Sequence, residues 1–310
     1  MNTGNKYLRF GVKLVFGLAV IIFVGWKVYQ MFLEGTHKGP FDTQYLWIIS
    51  GAVILLMILN WSVEAIKWKA LMERLNPISF KSALDGVLAG ISTGLITPNR
   101  IGNFIGRTQL LDKELRTRAT LLTFLSNLSQ FVPSIFFGCL SLLYITTNYY
   151  SSPQVFIFIT GVLLLAAALA LYINPQLANR KPLNYLFTDK IKEAITFIQN
   201  EILALKMKLL VWSALRYLLF VTQYVLLLIL FDQNFEVLIL FANISVVYLL
   251  MTIIPGLLFG KLFVREAAAL LVLGQLGIPD LIILTTGFLL WLINIALPSL
   301  IGTIILLRKK

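Results

Sequence analysis

The sequence predicts an all-α polytopic membrane protein with about six transmembrane helices, two oppositely oriented re-entrant helical hairpins and one cytoplasmic interfacial amphipathic helix. Three observations predict this fold class. Hydrophobic residues make up 58% of the 310 residues and charged residues only 13%, which excludes a water-soluble domain. Cations collect in alternate loops, and two apolar stretches are interrupted by cationic segments that contain Pro and Gly.

Six apolar stretches are long enough to cross a hydrocarbon core of about 30 Å, which takes about 20 residues in a helix. The first continues beyond the length of a signal-peptide core and offers no small-residue cleavage site, so we expect it to be an uncleaved span. The predicted spans are 14–33, 45–63, 119–146, 154–173, 209–231 and 281–307.

The cations behind the net charge of +12 lie in particular loops between the apolar stretches, a distribution that does not indicate nucleic-acid binding. Cations precede the first predicted span, follow the second and fourth, and close the chain, whereas the intervening loops are almost free of them. By the positive-inside rule both termini are cytoplasmic, in a cell inner membrane. Basic residues at that surface also favour anionic lipids. The cations are Lys6, Arg9, Lys13, Lys67, Lys69, Arg74, Arg180, Lys181, Lys190, Lys192, Arg308, Lys309 and Lys310.

The interrupted segments are TPNRIGNFIGR at 97–107 and IPGLLFGKLFVRE at 254–266. Their structural elbows are Pro98 and Gly102 in the first, and Pro255 and Gly260 in the second. Lipid cannot satisfy the backbone groups that such breaks release, so these groups must be buried in protein or line a polar cavity. The charge bias predicts that residues 80–111 form a re-entrant hairpin opening to the cytoplasm and that residues 237–279 form one opening to the outside. An eight-span arrangement is the alternative.

We expect a single membrane domain over residues 1–310, divided into two halves. The first half, about 1–180, contains the hairpin at 80–111, and the second, about 209–310, contains the hairpin at 237–279. Between them, isoleucine and leucine recur at spacings of three and four, which predicts an interfacial amphipathic helix at about 188–208.

Ionisable residues inside the apolar segments mark candidate sites, because a charge at mid-bilayer costs at least about 2.5 kcal/mol. Arg100, Arg107, Arg216 and Arg265 can each bind phosphate through a bidentate guanidinium. A structural role is the alternative, in which these arginines pair with Glu266, Asp85 or backbone carbonyls to hold the hairpins. A polar stripe in the third span either joins helices or lines a pathway. Its members are Thr123, Ser126, Asn127, Gln130 and Ser134.

These motifs resemble the transmembrane region of lysylphosphatidylglycerol synthases and the related stand-alone flippase-like proteins. The family's first elbow reads P-G-R-x-G-E followed by an arginine, and its second reads G-G-L-G-V-R-E. The matching residues are Pro98, Arg100, Gly102, Arg107, Gly260, Leu262, Val264, Arg265 and Glu266. The chain departs from the pattern at Asn99, Asn103, Lys261 and Phe263. Loss of the acidic residue at Asn103 and gain of Lys261 favour a more anionic headgroup.

The resemblance implies translocation of a phosphate-bearing lipid, anionic or aminoacylated, without synthesis of it. Arg100, Arg107 and Arg265 would bind the phosphate, with Arg216 and Lys261 nearby. Glu266 would orient Arg265 or exchange a proton, and Asp85 and Asn103 would contact polar headgroup atoms. We expect no enzymatic activity, no cofactor, no nucleic-acid partner, and membrane lipids as the partners. The alternative is a non-transporting scaffold for an envelope glycosyltransferase or lipid-modifying enzyme.

Two further residues limit the chemistry that the chain can support. A single cysteine, Cys139, leaves no partner for an internal disulfide, and the single histidine, His37, lies in a short predicted loop. Disulfide frameworks and His/Cys metal sites are therefore not expected.

Overall fold

The structure, a computed structural model, describes residues 43–97, 100–149, 154–179, 189–231, 236–254 and 260–308. This part of the chain is entirely helical and contains no strand. The helices are α1 (Thr43–Met72), α2 (Phe80–Leu95), α3 (Gly102–Gln109), α4 (Arg116–Tyr149), α5 (Gln154–Ile173), α6 (Asp189–Gln199), α7 (Leu203–Phe231), α8 (Val237–Ile253), α9 (Gly260–Leu273), α10 (Asp280–Trp291) and α11 (Leu297–Arg308). A π-helical segment, Leu292–Ala296, joins α10 to α11, and short 3₁₀ turns occupy Lys113–Leu115, Pro175–Asn179 and Gly274–Leu276.

Four long apolar segments have the length and composition to cross a membrane, which confirms a multi-pass membrane protein. They are Trp47–Met72, Lys113–Asn148, Leu203–Phe231 and Asp280–Arg308. Shorter apolar helices occur at Phe158–Ile173, within α5, and at α8. Five of the six predicted spans therefore coincide with apolar helices. The predicted first span, 14–33, and His37 lie outside the described residues.

Helices α2 and α3 form a tight antiparallel hairpin, which we call hairpin 1. Their backbones approach so closely that a Cβ on Gly90 would lie 2.5 Å from Asn103 Oδ1, and one on Gly106 would lie 2.5 Å from the Ala89 carbonyl oxygen. Thr93 Oγ1 donates to the Gly102 carbonyl at 2.6 Å and fixes the start of the second arm. At 16 and 8 residues, the arms are about 24 and 12 Å long, so each is shorter than a bilayer core.

Helices α8 and α9 pack against each other and form hairpin 2. Their 17 and 14 residues correspond to about 26 and 21 Å, again below the thickness of a bilayer core. Gly260 is the first residue of α9. Pro255 lies outside the described residues, as does Pro98 in the first elbow.

The two hairpins are packed reciprocally. Helix α4, which follows hairpin 1, packs on α8 of hairpin 2, whereas α11, which follows hairpin 2, packs on α2 of hairpin 1. A glycine lies at each contact: a Cβ on Gly138 would meet the Leu249 side chain, and one on Gly302 would meet the Leu88 backbone. The two halves therefore contact each other in the same way, with each hairpin packed against a helix of the other half.

Helices α1 and α7 run antiparallel through the middle of the protein. Lys67 Nζ donates to Ser213 Oγ at one end, and Gln223 Nε2 donates to the Val53 carbonyl at the other. Because α1 continues to Met72, Lys67 lies inside this helix and is wholly buried. Its assignment from the sequence to the basic stretch that follows the second span is therefore wrong.

The amphipathic segment is shorter than predicted. Helix α6 ends at Gln199, and the residues from Leu203 onward belong to α7, so the predicted helix at 188–208 is two helices. The chain turns at Asn200–Ile202, where Ile202 is exposed although Ile198 and Leu205 are buried. The regular apolar spacing continues across this turn, which explains why the sequence alone indicated one helix.

Candidate functional site

A single carboxylate, Glu64 of α1, binds three cations in the interior of the protein. Arg107 Nη2 from hairpin 1 donates to Glu64 Oε1 at 2.5 Å, and Arg216 Nη1 from α7 donates to Oε2. Lys67 Nζ, one helical turn along α1, lies 3.9 Å from Oε2. Glu64 is 2% exposed and Lys67 is 0% exposed. We call these four residues the Glu64 cluster.

Arg107 is positioned by its own helix and by α1. Its Nε donates to Asn103 Oδ1 at 3.1 Å, one turn earlier in α3, and its guanidinium carbon lies 5.8 Å from the centroid of the Trp68 ring. Asn103 occupies the space that opens because position 90 is glycine. Asn103, predicted to contact the headgroup, therefore orients Arg107. The Arg107 Nη1 atom is buried and has no hydrogen-bond partner within the described part of the chain.

Arg216 is held by an amide pair and two aromatic rings. Its Nε donates to Asn60 Oδ1 at 2.8 Å, and Asn60 Nδ2 donates to Asn294 Oδ1 at 3.4 Å. Its guanidinium carbon lies 5.7 Å from the centroid of the Trp61 ring and 5.6 Å from that of the Phe220 ring. Asn294 belongs to the π-helical segment between α10 and α11, a type of segment that often marks functional positions.

Lys67 is held by the polar stripe of α4 and by Ser213 of α7. Its Nζ donates to Ser213 Oγ at 2.8 Å, to Ser129 Oγ at 3.3 Å and to the Ser126 carbonyl at 3.4 Å. Gln130 Nε2 also donates to Ser213 Oγ, at 2.9 Å. Ser126 and Gln130 of the predicted stripe thus take part in contacts between helices, and Ser129 joins them.

The cluster carries a surplus of positive charge. Three cations around one carboxylate leave two positive charges uncompensated. Arg100, at the tip of hairpin 1, lies within electrostatic range of Arg107 and Arg216 and adds a further cation. It is exposed and has a positive φ of 57°, a conformation that an arginine adopts at a cost of about 1 kcal/mol or more. This arrangement suits a bound anion.

A cavity of about 180 Å³ opens at the base of hairpin 1. Arg107 and Trp68 line it, together with Ser82 of α2 and the exposed residue Asp112. The same arginine therefore contacts both the cavity and Glu64.

Arg265 and Glu266 of hairpin 2 form a separate ion pair. Arg265 donates to Glu266 Oε1 from Nη2, and from Nε at 3.1 Å, and it donates to the Gly287 carbonyl of α10 at 2.7 Å. Glu266 packs on Gly287, where a Cβ would lie 2.6 Å from Oε1. No described contact joins this pair to the Glu64 cluster, although Arg265, like Arg107, is the sixth residue of the second arm of its hairpin.

The remaining predicted site residues are not assembled with the cluster. Asp85 of α2 is half-buried and forms no ion pair with the described residues. Lys261 belongs to α9, but its side chain lies outside the described part, as does that of Phe263. The arginines of the cluster pair with neither Asp85 nor Glu266, which were the partners considered from the sequence.

Glu64 is the central residue that the sequence analysis missed. It follows the predicted second span, 45–63, by one residue and so lies outside the segments in which ionisable residues mark candidate sites. Asn60, Glu64 and Lys67 recur at spacings of four and three, so they share one face of a helix. Polar residues on one face of an apolar helix are the signal that could have identified the cluster.

The fold and site define a multi-pass helical membrane protein with two short helical hairpins, the first of which contributes an arginine to a buried, cation-rich centre. The sequence matches the family model described as lysylphosphatidylglycerol synthase TM region over residues 12–302. The chain therefore belongs to this family. No curated protein matches the sequence.

Proposed function

We propose that this protein translocates a phosphate-bearing lipid, anionic or aminoacylated, between the leaflets of a bacterial inner membrane. The observation that carries the proposal is the Glu64 cluster, in which Arg107, Arg216 and Lys67 share one buried carboxylate. Membership of the lysylphosphatidylglycerol synthase TM region family supports a role in lipid handling. In this proposal the chain transports without enzymatic activity or a cofactor, and its partners are membrane lipids.

The phosphate would compete with Glu64 for the guanidinium groups. In the described state, Glu64 is the internal counter-ion of Arg107 and Arg216. A phosphate offers several strong acceptor oxygens to a planar guanidinium, so it can take over one or both arginines. The Arg107 Nη1 atom, which has no partner among the described residues, would be available to donate to the phosphate.

The hairpins would supply access from the two sides of the membrane. Their arms are too short to cross the bilayer alone, which favours re-entrant hairpins together with six full crossings. The distribution of cations along the sequence favours cytoplasmic termini, so that hairpin 1 opens to the cytoplasm and hairpin 2 to the outside. Arg265 would then be the corresponding phosphate contact on the outer side.

Reconstitution into lipid vesicles tests the proposal. Fluorescent phosphatidylglycerol in the inner leaflet should become accessible to an external quencher faster with the protein than in protein-free vesicles. Arg107→Ala should abolish most of the acceleration, because it removes the donor that faces both the cavity and Glu64. The matched control is Arg118→Ala, which removes an exposed cation of α4 and should leave the rate unchanged.

The proposal is wrong if the wild-type protein moves neither labelled phosphatidylglycerol nor a labelled aminoacylated lipid above the protein-free rate. It is also wrong if Arg107→Ala and Arg118→Ala move the lipid equally fast. Each variant must elute as a single species in detergent, so that loss of transport is separated from loss of folding.

A further inference from the structure

We infer that Lys67 is a proton-binding site coupled to anion binding at the Glu64 cluster. It takes up a proton when an anion binds and releases that proton when the anion leaves. The inference rests on the proposed function only in taking the anion to be a lipid phosphate. It adds a proton coupled to anion binding at Lys67, whereas the sequence analysis considered proton exchange only at Glu266.

Lys67 is enclosed by neutral partners. Its side chain is 0% exposed, and its three hydrogen-bond acceptors are Ser213 Oγ, Ser129 Oγ and the Ser126 carbonyl. The nearest anion, Glu64 Oε2, is 3.9 Å away and already accepts from Arg216. Within the described residues, the ammonium of Lys67 therefore shares its single counter-ion, Glu64, with two guanidinium groups.

The surplus charge of the cluster makes Lys67 the residue whose charge can change. Burying an uncompensated charge is expensive, and a titratable group normally loses that charge instead. Arginine is not deprotonated in proteins, whereas a buried lysine readily loses its proton. Protonation of Glu64 is unfavourable, because its carboxylate is paired with the guanidinium groups of Arg107 and Arg216. We therefore expect Lys67 to be a neutral amine when no anion is bound and an ammonium when an anion is bound.

The serines around Lys67 can satisfy both protonation states. Each hydroxyl can donate or accept a hydrogen bond, so Ser213 and Ser129 can accept from an ammonium or donate to a neutral amine. The two hydroxyls also lie 2.7 Å apart, and each has a further acceptor, the Leu209 carbonyl for Ser213 and the Ser126 carbonyl for Ser129. Exchange of one proton therefore requires hydroxyl rotation and leaves the helix packing in place.

The ionisable groups that surround Lys67 do not offer an alternative proton carrier. Glu64 is on its own helix, Arg107 belongs to α3 and Arg216 to α7. From α5, Tyr172 lies near Ser129, and its hydroxyl donates to the Lys206 carbonyl at 2.9 Å. The contacts from α4 are serines. Among these groups, Lys67 is the one that is fully buried and that can also lose its charge to become a neutral amine.

Calorimetry of anion binding tests the inference with the full chain in detergent. The probe is short-chain phosphatidylglycerol, titrated in buffers of different ionisation enthalpy so that proton uptake per bound lipid is measured directly. For the wild type, we expect uptake that approaches one proton over a window of neutral to alkaline pH, with affinity that falls by up to about tenfold per pH unit within it. Below that window Lys67 is already protonated, so uptake should vanish.

Three variants separate coupling from packing. Lys67→Met should bind more weakly, with no proton uptake and no dependence on pH through the window. Lys67→Arg should also bind without uptake, but should keep its affinity at alkaline pH because its charge is permanent. Lys69→Met, two residues away on the same helix, should behave like the wild type.

Binding by the wild type without proton uptake overturns the inference and leaves the proposed function standing. Uptake that persists in Lys67→Met or Lys67→Arg also overturns it. Absence of any binding by the wild type contradicts the proposed function, and the inference falls with it. If Lys67→Met does not fold, the wild type and Lys67→Arg still decide the outcome.

Discussion

At the scale of single residues, Glu64 holds together two parts of the chain that are far apart in sequence. It joins Arg107 of hairpin 1 to Arg216 of α7 and lies one turn from Lys67. A buried ion pair adds little to stability by comparison with a well-packed apolar pair, but removal of one partner leaves an uncompensated charge. In the proposed function, these charges bind the lipid phosphate in addition to joining the helices.

Glu64→Gln should destabilise the protein strongly. The amide is nearly isosteric but leaves the buried guanidinium groups of Arg107 and Arg216 without a carboxylate, and breaking a buried pair in this way costs about 3–5 kcal/mol. Unfolding of the purified variant, followed by tryptophan fluorescence, measures this loss. The control is Glu73→Gln, which changes an exposed acid beyond the end of the same helix and should leave the free energy of unfolding unchanged. Equal stability of the two variants would show that Glu64 does not compensate the cations.

Arg100→Gly should separate stability from function. Arg100 has a φ of 57°, which glycine adopts without a steric penalty, so the variant should be at least as stable as Arg100→Ala. Both variants remove a cation near the Glu64 cluster and should lower the rate of phosphatidylglycerol translocation. Thermal unfolding and the vesicle assay, performed on the same preparations, measure the two effects. A fully active Arg100→Gly protein would exclude Arg100 from the site.

At the scale of elements, close packing of hairpin 1 is what brings Arg107 to Glu64. The arms touch through glycines, and Thr97 Oγ1 accepts from the Gly102 amide at 2.7 Å at the turn. Without this approach, α3 would lie farther from α1 and Arg107 would not reach the carboxylate. The geometry of the site thus depends on small residues that carry no charge.

Gly106→Ala should disturb the hairpin and weaken the site. The added Cβ would lie 2.5 Å from the Ala89 carbonyl oxygen, and overpacking of this kind costs about 1–3 kcal/mol. The variant should lose thermal stability and translocation activity together. Gly51→Ala is the matched control in α1, because nothing lies within 4 Å of its Cβ, and it should be stable and active. A Gly106→Ala protein as stable as Gly51→Ala would contradict the close packing.

At the scale of the whole molecule, the two hairpins are packed reciprocally. Each hairpin rests on the long helix that follows the other, with α4 on α8 and α11 on α2. Movement of one hairpin relative to the rest therefore changes its contact with the other half. In the proposed function, such movement of one half against the other would open the site to each side of the membrane in turn.

A cross-link between the halves should stop transport. Ser92 Oγ of α2 and Thr303 Oγ1 of α11 lie 2.6 Å apart, so cysteines at both positions should form a disulfide under oxidation. Cys139→Ser removes the native thiol first. We expect oxidation to reduce lipid translocation and reduction to restore it, whereas either single cysteine should be insensitive. Unchanged transport in the cross-linked protein would show that α2 and α11 do not separate.

The sequence predicted the apolar helices and both interrupted segments, because hydrophobic length and the placement of Pro, Gly and cations are local properties. It also selected Arg100, Arg107 and Arg216, which the structure brings near each other. It could not predict that Glu64 is the partner of Arg107 and Arg216. Glu64 lies in a different segment, 43 residues before Arg107, and only the packing of α1 against hairpin 1 and α7 brings the three together.

Lys67 is a second residue whose surroundings could not be predicted from the sequence. A cation near the predicted end of a span indicates the orientation of that span by the positive-inside rule. For this reason Lys67 was assigned, with Lys69 and Arg74, to the basic stretch after the second span. Only Arg74 lies beyond the end of α1, where it pairs with Glu201 at 3.2 Å. Whether a lysine at the end of an apolar stretch is solvated or buried depends on the serines of other helices, here Ser129 and Ser213.

The most direct test of the central claim is to locate the bound headgroup. A phosphatidylglycerol analogue with a photoreactive group on its headgroup, cross-linked to the reconstituted protein and mapped by mass spectrometry, should label residues around Arg107 and Arg216. Labelling should fall in Arg107→Ala and not in Arg118→Ala. Labelling spread only over the exposed outer faces of the helices, and unchanged in Arg107→Ala, would contradict a lipid phosphate site at the Glu64 cluster.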